Sequence, residues 1–220
     1  MIEIHDLKKV YHVGEVDVNA LRGVDLSVKR GEFVCVVGPS GSGKSTLFHI
    51  LGGLTPPTSG EIHIDGRDLL KMADAERTNL RKRTVGFVFQ KYNLLPTLTA
   101  EENIEIARDI AGRKREKDPQ FDDVIKLLGI EGRLHHKPRA LSGGEQQRVA
   151  IARSIVNHPA ILLADEPTGN LDSENSQIVL SLLRDLNRRT GQTILMITHD
   201  LDAASYGDRI VRMRDGRIVE

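Results

Sequence analysis

The sequence predicts an α/β protein: an open sheet flanked by helices, with an antiparallel β-layer at its start and a helical stretch inserted into the sheet part. Three observations carry this. The apolar run Phe33-Val34-Cys35-Val36-Val37 leads through a glycine-rich loop into the helical run 46–51. Two more apolar runs, 160–164 and 193–198, read as buried core strands, and each ends on ionisable residues, Asp165-Glu166 and His199-Asp200. Between residues 91 and 140 no strand pattern is visible and helical spacing takes over.

In chain order, Ile2, Ile4 and Val10 alternate, as do Val24, Leu26 and Val28, so two antiparallel strands are expected with a loop over 14–21 between them. Tyr11 stands out in a chain with three tyrosines and no tryptophan. It either stacks on a base or packs the edge of the β-layer.

The loop Gly38-Pro39-Ser40-Gly41-Ser42-Gly43-Lys44-Ser45-Thr46 fits G-x-x-x-x-G-K-[ST] in the strand–loop–helix setting the motif requires. Glycines let backbone N–H groups converge on phosphate oxygens, and the helix N-terminus adds partial positive charge there. Lys44 neutralises the β- and γ-phosphates, and the Ser45 hydroxyl ligates Mg²⁺. The working assumption is therefore a nucleotide.

A turn-rich break, 52–60, precedes a short alternating strand at 61–65 and a charged, partly helical segment, 67–83. Val85-Gly86-Phe87-Val88-Phe89 is a strand that ends on Gln90. Ligands gather at such strand ends in open α/β sheets. Gln90 there ligates Mg²⁺, orients water, or is a plain surface glutamine. Helices are expected over 100–111 and 122–128, and the basic run Arg113-Lys114-Arg115 reads as a solvated turn.

The second strong signal is Leu141-Ser142-Gly143-Gly144-Glu145-Gln146-Gln147-Arg148. Ser142 and Glu145 are spaced as a capping box that opens a helix. Glycines in a first turn are unfavourable without a reason. They leave the N-terminus bare for a phosphate, or the segment is an ordinary capped helix. The strand 160–164 closing on Asp165 matches a carboxylate that holds Mg²⁺, and Glu166 next to it is placed to orient an attacking water. Buried unpaired acids are unfavourable, which argues for function here. His199 ends the next core strand and either donates to a γ-phosphate or is a bystander. Short strands around the turn Asp215-Gly216 close the chain.

The chain has 220 residues, 39% of them hydrophobic and 28% charged, ordinary for a globular protein with one large domain. Lys+Arg and Asp+Glu both number 31, so no general attraction to nucleic acid is expected. The single cysteine, Cys35, reads as a core residue. No signal peptide is expected at the N-terminus, and no apolar run approaches a membrane span.

These motifs, in this order, resemble an ATP-binding cassette (ABC) ATPase. GPSGSGKST at 38–46, Gln90, LSGGEQQR at 141–148, ILLADE at 161–166, NLD at 170–172 and His199 carry the likeness across essentially the whole chain. LSGG is the diagnostic piece. LGGL at 51–54, PTSG at 57–60, GFVFQ at 86–90, NLLPTLTA at 93–100 and ADEPTGNLD at 164–172 resemble the branch of bacterial lipoprotein-releasing and macrolide-efflux ATPases, with the cell-division ABC ATPase nearby. The segments 100–104 and 108–118 depart from that pattern.

The resemblance implies a RecA-like core with β-subdomain at about 1–90 and 160–220, and a helical subdomain at about 91–159. It implies a head-to-tail homodimer around two ATP molecules. Tyr11 would stack on adenine, residues 38–46 would hold the phosphates, and Ser45, Gln90 and Asp165 would serve Mg²⁺. Glu166 would polarise the water and His199 would touch the γ-phosphate. Ser142, Gly143 and Gly144, with Glu145 beside them, would reach across from the other subunit, and Asp172 would lie near the seam. A membrane permease subunit would meet the loop after Gln90 and the helical subdomain, placing the chain on the inner face of a cell membrane. The work done would be export, lipoprotein release or mechanical transmission. The alternative is a cell-division-type complex that signals without moving a solute. A DNA-repair ATPase is disfavoured, because fewer than a hundred residues separate Thr46 from Leu141 and no sustained heptads occur. Translation factors of the superfamily carry two cassettes, and this chain has one.

Overall fold

The computed structural model describes residues 1–113 and 117–219. Two sheets form the β-structure. The first is antiparallel and pairs β1 (Ile2–Val13) with β2 (Val16–Val28) on one side and with β4 (Ser59–Ile64) on the other, and β5 (Arg67–Asp68) lies outermost. The loop expected over 14–21 is a correction. The chain turns at Gly14 and Glu15 and is strand again from Val16, with Val13 opposite Val16 and Tyr11 opposite Val18. The reason is physical: Val16 and Val18 are exposed, so the hairpin tip carries no buried face to mark it as strand.

The second sheet has the order β10-β9-β3-β8-β7-β6. Its centre is four parallel strands: β3 (Phe33–Val37), β8 (Thr193–Thr198), β7 (Ile161–Asp165) and β6 (Val85–Phe89). β9 (Arg209–Arg214) extends it in parallel and β10 (Arg217–Ile218) pairs antiparallel to β9. Near-continuous apolar runs follow from burial on both faces. Cys35, Leu162, Ala164, Ile194 and Met196 point into one core, shared with the helices that follow β6. Val34, Val36, Leu163, Leu195 and Ile197 point into the other, shared with the first helix and the antiparallel sheet. Cys35 is fully enclosed, and burial pushes its thiol up to about 12.

The helices are α1 (Lys44–Leu51), α2 (Asp74–Arg83), α3 (Ala100–Ile110), α4 (Pro119–Leu128), α5 (Gly143–Ile155), α6 (Ser173–Thr190) and the short α7 (Leu201–Ala204). α4 begins ahead of the expected residue 122, because Asp118 caps it and Pro119 fits its first turn. Lys114 and Arg115 of the expected basic turn lie outside the described residues. Because β3, β6, β7 and β8 run parallel, Gly38, Gln90, Glu166 and His199 follow their carboxyl ends along one edge. In-register pairing sets Phe89 beside Asp165, Asp165 beside Ile197, and Val37 beside Thr198.

Candidate active site

The loop between β3 and α1 is shaped by close approach. At Gly43, with φ of +100°, an added Cβ would lie 2.6 Å from the Ala20 carbonyl oxygen. Gly216 of the C-terminal hairpin donates its N–H to the Ser42 oxygen at 3.0 Å, so the chain's last turn braces the loop. Lys44 is largely buried and donates to the carbonyl oxygens of Gly38 at 2.7 Å and Pro39 at 3.0 Å. Burial pulls its pKa down, while Glu166 and Asp165 oppose the shift.

Pro39, Ser40, Gly41, Ser42, Gly43, Lys44, Ser45 and Thr46 line an open cavity of about 790 Å³ together with Asp165, Glu166 and His199. Asp165 ends β7 partly buried. Burial pushes its carboxyl up, the adjacent Glu166 adds to this, and His49 and Lys44 oppose it. Glu166 adopts φ of +45° and donates its backbone N–H to the Ile197 carbonyl at 3.0 Å. Both its carboxylate oxygens are held: Oε2 accepts from the Thr198 hydroxyl at 2.9 Å, and Oε1 lies 2.8 Å from His199 Nδ1. A cation, the residues of the glycine-rich loop and two acids thus line one open cavity. A second hollow of about 490 Å³, at the opposite pole between α4 and α6, contains none of these groups.

The family described as ABC transporter matches residues 21–169. An ABC transporter ATP-binding protein of Thermotoga maritima is 50% identical over 219 residues, covering 99% of this chain and 93% of that one. The macrolide export ATP-binding/permease protein MacB of Rhodopirellula baltica is 45% identical over the whole of this chain, which spans 33% of its length. Among solved structures, the post-hydrolysis dimer of the ATP-binding cassette MJ0796 of Methanocaldococcus jannaschii, bound to ADP and Pi, superposes with a TM-score of 0.89. It is 42% identical, covering 100% of this chain and 97% of that one.

This chain is an ABC transporter ATPase.

It binds and hydrolyses ATP. Within the cassette, α5 opens as the capping box reads: Ser142 Oγ accepts from Glu145 N, and Glu145 Oε2 accepts from Ser142 N at 2.8 Å. These bonds and Arg133, whose Nε donates to Glu145 Oε1 at 2.6 Å, hold the Glu145 carboxyl below its ordinary range. The two glycines have a reason within their own subunit. A Cβ on Gly143 would meet the Tyr92 hydroxyl at 2.8 Å, and one on Gly144 would run into the Asn175 side-chain amide. Asn175 is fixed by Asp172, which caps α6 and accepts from the Asn175 backbone N–H at 2.8 Å.

Eight expected residues lie off the lining of this cavity: Tyr11, Gly38, Gln90, Ser142, Gly143, Gly144, Glu145 and Asp172. Gln90 Nε2 turns to Asn170 Oδ1 at 3.3 Å, and Asn170 donates back to the Gln90 carbonyl. Tyr11 stands opposite Val18, which does line the cavity, and Lys9 Nζ sits 4.8 Å from its ring centroid. The Ser142–Glu145 segment and Asp172 form a separate cluster.

Sequence reasoning missed Thr198, Asn103 and Gln147. Gln147 is fully buried and donates to the carbonyls of Pro167 at 2.6 Å and Phe89 at 3.3 Å, joining α5 to the chain on either side of the site. Asn103 is also fully buried and exchanges hydrogen bonds with both backbone groups of Leu95. The doubled Gln after the signature glycines was the only available sign of the first, and a polar residue on an apolar helix face of the second.

Ser45 and Asp165 offer hard oxygen donors to the same cavity. Among the described residues, no group of three or more His, Cys, Asp or Glu side chains could hold a metal. That donor set suits a divalent cation that keeps waters and takes the rest of its shell from phosphate oxygens, which is the habit of Mg²⁺. Among the described residues, no helix is long and apolar enough to cross a membrane.

Proposed function

We propose that the chain is the motor subunit of a membrane complex, acting as a head-to-tail homodimer that closes on two Mg-ATP molecules. The observation that carries the reading is the placement of Glu166 across one cavity from Lys44, with both of its oxygens held. Lys44 and the loop amides bind the β- and γ-phosphates, and Ser45 and Asp165 would hold Mg²⁺, with Gln90, now bonded to Asn170, as a further candidate ligand. Bound there, Mg²⁺ would neutralise phosphate charge. Glu166 orients and polarises the attacking water, His199 moves from Glu166 to the γ-phosphate, and Tyr11 stacks on adenine. Catalysis is by positioning and charge stabilisation, with no covalent nucleophile.

The signature segment, Ser142 to Glu145, meets the γ-phosphate of the partner subunit's nucleotide, with Asp172 near the seam. The solved dimers of MJ0796, named as a bacterial ABC transporter cassette, support this pairing. A permease partner is supported by MacB, whose name joins ATP-binding and permease functions in one chain. The partner docks on the loop after Gln90. Arg153 of α5 holds that loop at the carbonyls of Tyr92 and Asn93, so a push on it reaches the signature helix. The cargo class is an exported solute or a released lipoprotein.

Light scattering tests the assembly on Glu166→Gln. The expected result is a monomer without nucleotide and a dimer in saturating Mg-ATP. A mass that stays monomeric overturns the sandwich.

A further inference from the structure

We infer that Thr198 is a positioning residue for hydrolysis: its hydroxyl anchors Glu166 Oε2 and so leaves Oε1 as the oxygen that receives the proton of the attacking water. The inference deepens the reading of Glu166 as the base and rests on it.

Thr198 is the last residue of β8, is 1% exposed, and lies in register with Val37, where the phosphate loop begins. Its hydroxyl has one hydrogen to give. The Asp200 backbone N–H points at Thr198 Oγ1 from 3.1 Å and can only donate, so it occupies an acceptor site on that oxygen. The hydroxyl hydrogen is left for Glu166 Oε2, 2.9 Å away. The β-branched side chain is stiff about χ1, so the donor is held in place by its own strand.

The two holders of the carboxylate differ in permanence. The His199 side chain is 71% exposed and free to swing outward. Thr198 is enclosed and fixed. When His199 leaves, Oε1 is released towards the cavity while Oε2 stays tied, and the carboxylate cannot rotate away. In the hydrolytic step the water oxygen bonds to the γ-phosphorus as the bond from phosphorus to the ADP oxygen breaks. The water's proton passes to Glu166 Oε1 and leaves later with phosphate. Among the described residues, no side-chain hydrogen bond ties the carboxylate of Asp165, one residue away, which would leave its oxygens for a cation.

The test is single-turnover hydrolysis and ATP binding in the full chain for Thr198→Val, Thr198→Ser, Glu166→Gln and the Thr198→Val/Glu166→Gln double variant. Hydrogen bonds to charged groups set the expected size, so Thr198→Val should slow hydrolysis roughly tenfold to a hundredfold. ATP affinity should stay within about twofold, and Thr198→Ser should recover most of the rate. In the Glu166→Gln background the valine should add no further loss, because the anchored charge is gone. Should the valine variant not fold, Thr198→Ala removes the hydroxyl without adding bulk and carries the same comparison. A valine variant as fast as wild type, or equally harmful beside Glu166→Gln, overturns the inference. An active Glu166→Gln would instead overturn the base assignment, so the two failures are distinguishable.

Discussion

At position 166 the backbone is held at φ of +45°, a left-handed conformation that costs a non-glycine residue about 1–3 kcal/mol. The fold accepts this where a carboxylate must face the phosphate loop. Glu166→Gln keeps the side chain's length but removes its charge. Turnover should fall on the order of 10² to 10⁴ while ATP stays bound, as checked by single-turnover hydrolysis and filter binding. Asp165→Asn should differ by weakening Mg-ATP binding as well as rate, and titration with Mg²⁺ separates the two. Tyr11→Ala should weaken ATP and GTP binding alike, by about 0.5–1.5 kcal/mol, since a stacked ring reads a base's face rather than its edge. An unchanged dissociation constant for both nucleotides would remove Tyr11 from the site. At this scale the sequence was most legible where a residue sits inside a local pattern: Lys44 and Ser45 in their loop, Asp165 and Glu166 at a strand end. Thr198 was not legible, because its hydroxyl matters through Glu166, which is 32 residues away in the chain. No local pattern records that contact.

At the scale of elements, α5 shows a conflict between local and tertiary preference. Alanine at position 144 would suit a helix by about 1 kcal/mol over glycine. In this fold its methyl group would run into the Asn175 amide, which Asp172 holds from both oxygens. Gly144→Ala should therefore lower the melting temperature, against the propensity scale, and calorimetry of the nucleotide-free protein checks it. The capping pair Ser142 and Glu145 made α5 legible, whereas α3 was legible from helical spacing alone and its Thr99–Glu102 capping box emerged only in the structure. The β1–β2 hairpin tip was illegible because Val13, Val16 and Val18 all face solvent, and an exposed ribbon has no hydrophobic period to read. The loop after Gln90 was legible only in part. Leu94 and Leu95 both look like interface residues in sequence, yet Leu94 packs against the core beside α5, while Leu95 is 42% exposed on a backbone pinned by Asn103. Leu95→Glu should leave folding and basal ATPase intact and reduce stimulation by the membrane partner in reconstituted vesicles. Loss of basal activity with stimulation retained would mark the loop as internal packing.

At the scale of the whole molecule, the parallel order β3-β8-β7-β6 collects residues from distant stretches of chain along one edge. Strand order cannot be read from apolar runs, since each of these strands is equally hydrophobic. The motifs named which strand ends share an edge, but not the order in which the strands pair. The same sheet encloses the molecule's single cysteine. With its thiol pushed up to about 12 and no path to solvent, Cys35 should resist a thiol reagent until the protein unfolds, so colour development in native buffer should track global unfolding. That makes the native chain chemically silent to maleimides. A cysteine introduced at the exposed Gln177 on α6 would be the lone reactive thiol, without any need to strip the original. One spin or fluorescent label per subunit then follows. In the symmetric pair proposed above this gives a single interlabel distance, so nucleotide-driven pairing could be followed in real time on an otherwise unaltered protein.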